Sequence, residues 1–431
     1  MSSSEAPKTP ESPESSGTPP PSQGRSSVRS TIRSLVWSVY APSFLLSVGQ
    51  GILIPVLPGF AKEEMAATIG LVGLVIAARH IGTMIFDVPA GILVGRLGLR
   101  KTMLAGVILF GIAAVWAGLS PNFTSLMAAR VLAGVSFALW SISRHSYIAT
   151  VVPIDVRGRA LSLFGGISRI ATILGPLMGG ILAEHVGIRV PFFAQAAVAI
   201  LTLVMVVATT RNMTEPNRSG KSHNVFAELG TVVTRHKRDF ATAGVAAVAL
   251  QFLRAGREFL IPVWGGELGL GKDQIGYIAT ASFTVDSMLF PIVGYSMDRW
   301  GRKSTGLPAF IVLGLAIALI PLTGTFGGLL AVGLIAGLGN GLSSGFVLIM
   351  GSDLAPKDNP GEFLGVWRLI SDTGGATGPI AIGGIAQVLT LGVASLATAG
   401  IGAFGALMLI FVVRETMTRS PRGPSRVKTK S

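Results

Sequence analysis

With 50% hydrophobic and only 13% charged residues over 431 positions, and a mean hydropathy of +0.63, the chain is far too apolar for a soluble domain, which carries about a quarter charged residues. It reads as an all-α integral membrane protein. The absence of cysteine excludes a disulfide framework, a thiol nucleophile and a thiolate metal site. A formal net charge of +14 would suit a nucleic-acid binder, but its distribution along the chain excludes that reading.

Residues 1–33 are rich in Ser and Pro and poor in bulky apolar side chains, so they are expected to form a disordered cytoplasmic tail. The first apolar segment is as long as a bilayer span and follows this polar tail, which predicts a retained helix rather than a cleaved signal. Twelve such segments follow one another at 35–60, 68–95, 101–119, 123–148, 160–183, 190–209, 240–264, 274–297, 304–324, 327–350, 362–388 and 391–413. The polar stretch 211–238 divides them into a bundle at 34–210 and a second at 239–414, and a basic tail occupies 415–431. An even number of spans puts both termini on one side. Of the 35 Lys and Arg, 25 fall in the tails and turns of that side and seven within spans; only Lys62, Arg189 and Lys272 fall opposite. This bias predicts cytoplasmic termini in a plasma-membrane protein, with anionic lipid headgroups as the partner of the basic excess.

The two halves repeat. At an offset of 203 residues, Gly91, Arg96 and Gly98 meet Gly294, Arg299 and Gly301. In the same register Pro153, Asp155 and Gly158 meet Pro356, Asp358 and Gly361, and Gly175, Pro176 and Gly180 meet Gly378, Pro379 and Gly383. Internal repeats of this kind build many secondary transporters, with the substrate site between the repeats. The segment "GYSMDRWGRK", with Gly294, Asp298, Arg299, Gly301, Arg302 and Lys303, resembles the signature loop between the second and third helix of a six-helix half in the major facilitator superfamily. The first copy keeps Gly91, Arg96, Gly98, Arg100 and Lys101 but has Gly95 in place of the acid. "RVLAG", with Arg130 and Gly134, is similar to the family's fourth-helix motif, and the resemblance implies a helix-contact role for both residues. "GPLMGG", with Gly175, Pro176, Gly179 and Gly180, resembles the fifth-helix motif of its drug-efflux branch, without that branch's longer glycine spacing. The resemblance implies twelve helices in two pseudo-symmetric six-helix bundles, a cytoplasmic gate at the signature loops, and seams that pair the fifth helix with the eighth and the second with the eleventh. The competing reading of the loops is a pair of ordinary polar turns.

Charges at bilayer depth are costly and mark cavities or inter-helix pairs. They are Arg79, Asp87, Arg130, Arg144, Arg169, Arg254, Arg257, Glu258, Asp286, Arg368 and Asp372, with His80 and His145 beside arginines. Arg144 and Arg257 lie near enough to span ends to snorkel. Counting from the cytoplasmic edge at about 1.5 Å per residue puts Arg169 level with Asp286, and Asp87 near Arg368. Such pairs serve either structure or proton coupling, and Asp372 belongs with them. Arg254, Arg257 and Glu258 share one face of the seventh helix, which lines the central cavity in the family. Gln50, in a first helix broken by Pro55 and Pro58, and Asn340 are candidate cavity residues; the plain alternative is interhelical hydrogen bonding. Arg254, with Glu258 to orient it, is expected either to meet an anionic group on the substrate or to form a pair with Glu258 that only fixes the seventh helix.

The expected function is therefore secondary transport of a small organic solute by a monomer. Efflux on a proton gradient is the leading form and uptake or facilitated movement of an organic anion the alternative. The efflux branch usually has an acid on its first helix, and this chain has none. No cofactor or metal is implied. A membrane enzyme would need grouped ligands or a nucleophile with a base, and five scattered histidines supply neither. A non-transporting sensor is the remaining alternative.

Overall fold

The computed structural model describes residues 35–152, 154–210, 225–356 and 360–416. Both tails up to 34 and from 417, residues 211–224 of the linker, and Pro153 and Asp358 of the repeat lie outside the described residues.

Twelve spans follow the apolar segments. The first, α1, is Val36–Ile52 continued after a break by Leu57–Met65. Then come α2 (Ile69–Leu97), α3 (Leu99–Gly118), α4 (Phe123–Val151), α5 (Ile154–His185) and α6 (Val190–Thr209). The second half has α7 (Val245–Glu267), α8 (Lys272–Trp300), α9 (Lys303–Leu319), α10 (Phe326–Leu342 continued by Phe346–Leu354), α11 (Pro360–Val388) and α12 (Leu391–Leu407). A short helix at Val225–Arg235 lies within the linker. Among the described residues nine helices are long and apolar enough to cross a membrane, α1 is bent by 44° at its break, and α7, with Arg254, Arg257 and Glu258, carries the most intramembrane charge.

Local chemistry sets the ends. Asn122, Thr325 and Thr390 each accept a hydrogen bond from a backbone N–H of the first turn of α4, α10 and α12. The breaks have different causes. In α1, Pro55 and Pro58 remove donors around Leu53–Val56. In α10, Gly345 at φ +75° interrupts a helix expected to run unbroken to 350. The outer faces are apolar: Ile200, Val204, Leu396 and Phe411 stand out toward the hydrocarbon.

Within the first half, α2 packs on α4, α3 on α4 and α6, and α1 on α5 and α6; the second half repeats this with α8 on α10, α9 on α10 and α12, and α7 on α11 and α12. The halves meet along two seams, α5 on α8 and α2 on α11. At one end the seams are backbone to backbone. A side-chain carbon at Gly180 would stand 3.1 Å from the Cα atoms of Asp273 and Gly276, so only glycine lets these helices touch. Toward the turns at 98 and 301 the seams part. Gly91, Gly95 and Gly294 face open space, and Ile85, Met288 and Ile292 are more than 60% exposed.

Candidate functional site

A cavity of about 210 Å³ lies between the halves, behind the closed end of the seams. The break in α1 supplies Gln50, Leu53 and Ile54; α2 supplies Arg79 and His80, α4 Arg130, α6 Gln195, α7 Glu258 and α8 Phe283. Gln195 donates to the carbonyl of Gly49 at 2.9 Å and ties α6 to the first helix. The α2–α4 crossing is fixed by Thr83, whose hydroxyl donates to the carbonyls of Arg79 and Gly134. Gly134 itself packs on the backbone of α2. Both guanidinium groups therefore enter the cavity from neighbouring helices. Arg79 lies 5.6 Å from the Phe137 ring centroid, with Nη2 3.4 Å from His80 Nε2. Arg130 is 7% exposed, and its buried Nε has no hydrogen-bond partner. Among the described residues Glu258 is the one carboxylate on the wall.

The seams hold the other charges. Arg169 Nη1 is 2.7 Å from Asp286 Oδ1, and its Nη2 is 2.9 Å from Ser344 Oγ. Asn340 donates to the second oxygen of Asp286 at 2.6 Å, so it belongs to this seam and is not among the residues lining the cavity. Arg368 lies 3.4 Å from Asp87 and 3.5 Å from Asp372. Gly175 and Gly179 pack on Gly51 and Ile52 of α1, Gly378 on α7, and the Pro379 carbonyl on Gly73.

Three expectations need correction. Arg254 is not oriented by Glu258: its guanidinium donates to Gln251 Oε1 at 2.9 Å and to the carbonyl and hydroxyl of Ser343 at 2.9 and 2.7 Å, inside the break of α10. Arg257 does not snorkel; it is 4% exposed, donates to Ser282 Oγ and lies 4.7 Å from the Phe283 ring. Arg144 is likewise buried, 4.2 Å from the Phe164 ring. In each case the direction of the side chain is set by a partner on another helix.

At the open end, the second signature turn is a cage of acids around one arginine. Arg302 bonds Asp353 at 2.8 Å and reaches Asp298 at 3.3 Å. Glu415 accepts from the backbone N–H groups of Arg302 and Lys303 at 2.8 and 3.0 Å, at the positive start of α9. The hydrogen bond that Arg302 donates to Asp353 holds its guanidinium above its already high range, against the opposing effect of burial. Arg299 instead bonds the hydroxyl of Tyr295. In the first turn Arg100 donates to the Val207 carbonyl at 2.7 Å; Arg96 and Lys101 form no ion pair within 4 Å among the described residues.

The closed end carries a feature that sequence reasoning missed. Lys62 pairs with Glu267 at 2.7 Å and Lys272 with Glu63, both across the halves, and Glu184 accepts from the backbone of Lys272 at 2.7 Å. Arg189 pairs with Glu64 at 2.8 Å. The three cations assigned by sequence to the face opposite the termini are thus all engaged in ion pairs at one end of the molecule. Their acidic neighbours were the available signal.

A family model described as Major Facilitator Superfamily matches residues 41–259 and again 243–430. The chain belongs to the Major Facilitator Superfamily. As such it is an integral multi-pass membrane transporter of small molecules and not an enzyme. An uncharacterized MFS-type transporter of Methanocaldococcus jannaschii is 20% identical over 82% of this chain and 92% of its own length. The quinolone resistance protein NorA of Staphylococcus aureus (strain MRSA252) is 31% identical over 217 residues, 50% of this chain, and the match spans about half of NorA's length, 55%. Among solved structures, the nucleoside transporter NupG superposes with a TM-score of 0.77 at 11% identity, covering 89% of this chain and all of the other. A D-xylose-proton symporter superposes with 0.72 at 16%, covering 90% and 99%. At these identities the likeness is one of fold, and the fold is the twelve-helix facilitator fold in two related halves.

Proposed function

We propose that this transporter exports a small organic solute by alternating access, driven by a proton gradient, with both termini in the cytoplasm. One observation carries the reading: a polar cavity sits between two related halves that are sealed backbone to backbone at one end and parted at the other. Rocking the halves about this cavity would open the ion-paired end and bring the turns at 98 and 301 together. The similarity of half the chain to a quinolone resistance protein supports efflux, and likeness to a proton symporter's fold is compatible with proton coupling. Glu258 is the carboxylate placed to exchange a proton with the cavity; Asp87 and Asp286 are engaged in inter-half pairs that would have to break and reform, and Asp372 shares Arg368 with Asp87 from within α11.

A second reading, facilitated movement of an organic anion, is favoured by the two arginines on the cavity wall. Purified protein in proteoliposomes tests both. Solute movement that follows an imposed pH gradient supports the first reading, movement indifferent to pH supports the second, and no movement of any solute across a broad panel contradicts both. Topology is tested separately with a cysteine at Pro121, since the native chain has none and Asn122 must remain as the α4 cap. The proposal requires labelling from outside the cell; labelling from the cytoplasm alone would invert it.

A further inference from the structure

Arg79 and Arg130 stand in the same cavity on helices locked together by the Thr83 hydrogen bonds, with only Glu258 as a carboxylate on the wall. We propose that they form the recognition site for a single carboxylate carried on a small aromatic or apolar body. This deepens and rests on the transport reading of the cavity, and it relocates the anion contact from Arg254, whose guanidinium is already bonded inside the α10 break.

Three features support the assignment. Arg130 makes no hydrogen bond or ion pair with any described residue, although it is more than nine-tenths buried and lines the cavity. The other buried arginines spend their donors on carbonyls, hydroxyls or carboxylates, as Arg169 and Arg254 do, or lie over aromatic rings, as Arg144 does; Arg130 does neither among the described residues. Arg79 and Arg130 also lie close enough to repel each other, and in a low-dielectric site an anion between them relieves that repulsion. The charge balance then selects the ligand. Two guanidinium groups against one glutamate leave room for one negative charge, where a dianion would confront Glu258. A planar carboxylate also matches the guanidinium fork.

The remaining wall sets the body of the ligand. Leu53, Ile54, Ile76, Phe110 and Phe283 are apolar, and Phe110 and Phe283 offer aromatic rings. The volume of about 210 Å³ falls below the roughly 300–1,000 Å³ of pockets that take drug-sized ligands, which favours a single-ring solute.

The test is equilibrium binding of labelled benzoate to the full chain in lipid nanodiscs, with benzamide and benzylamine as neutral and cationic competitors of the same shape. Saturable benzoate binding that neither competitor displaces is expected. Affinity should fall at least about tenfold in Arg79→Gln and in Arg130→Gln, the loss that accompanies a charged hydrogen bond, and stay near wild type in Arg254→Gln. Arg79→Lys, which keeps the charge without the fork, should fall between. Each variant is first shown monodisperse by size exclusion, and either arginine variant that passes suffices. Absence of saturable benzoate binding, equal competition by benzamide or benzylamine, or wild-type affinity in the folded Gln variants overturns the proposal. If a neutral or cationic solute is transported while benzoate does not bind, this site assignment fails and the transport reading stands. Arginine-dependent benzoate binding without movement of any solute would do the reverse.

Discussion

The two signature turns share a backbone and differ in what surrounds it. Gly98 and Gly301 sit at φ +85° and +97° with ψ 160° and 170°, a conformation open to glycine alone, so both halves make the same reversal. Around Gly301, Asp298, Asp353 and Glu415 enclose Arg302. Around Gly98 the acid is replaced by Gly95, and Arg100 reaches a carbonyl at the end of α6. The cavity reverses the bias. Arg79 and Arg130 of the first half correspond, at the offset of 203, to Ser282 and Gly333 of the second. The inherited repeat therefore fixes the path of the chain, while charge is distributed unequally among the described residues: two arginines on the cavity wall in the first half, an arginine enclosed by acids at the turn of the second.

The largest effect is expected where the halves are joined, because there neither can compensate for the other. Asp286→Asn strands Arg169 in the seam and should cost about 3–5 kcal/mol, read as lost thermal stability of the purified protein. Exchanging the two, Arg169→Asp with Asp286→Arg, should recover part of it. An exchange as damaging as the sum of the single changes would show that the pair does not join the halves. Next, Asp353→Asn removes the charge and one of the two acceptor oxygens facing Arg302 and should cost about 1–3 kcal/mol. The equivalent first-half change, Thr150→Ala, loses only a bond within its own helix and should stay within about 0.5 kcal/mol. Equal losses would erase the contrast between the turns. Glu415→Gln weakens a cap on α9 and should cost about 0.5–2 kcal/mol. Within the second turn the smallest stability change belongs to Asp298→Asn: its side chain is 77% exposed, so the pair contributes at most about 1 kcal/mol. Its expected effect is on transport rate, while Gly95→Asp, facing open space, should fold normally. Unchanged transport by Asp298→Asn would leave the motif an ordinary turn.

Much of the fold was legible because lipid imposes simple rules. Span length, the basic bias and the repeat register gave twelve helices and two halves, and the proline break in α1 was visible as Pro55 and Pro58. The α10 break was missed because "GLSSG" lies inside one continuous apolar segment, 327–350, although Gly345 in it was the signal. The site was legible in part. Counting rise along helices sets the depth of a charge, which is why Arg169 and Asp286 came out level. It says nothing about which of several residues at that depth a side chain will turn to. Arg254 and Glu258 share a face by spacing, yet one finds Ser343, 89 residues away, and the other faces the cavity. Arg79 and His80 were identified as buried without a role, because the role comes from α4 lying against α2.

The central claim is that the two halves rock about the cavity. The closed end tests it most directly, since Lys62 and Glu267 meet across the halves and the chain has no native cysteine. In Lys62→Cys with Glu267→Cys, a short methanethiosulfonate cross-linker should abolish solute movement in proteoliposomes, and reduction should restore it. Full transport by the quantitatively cross-linked protein would contradict the account.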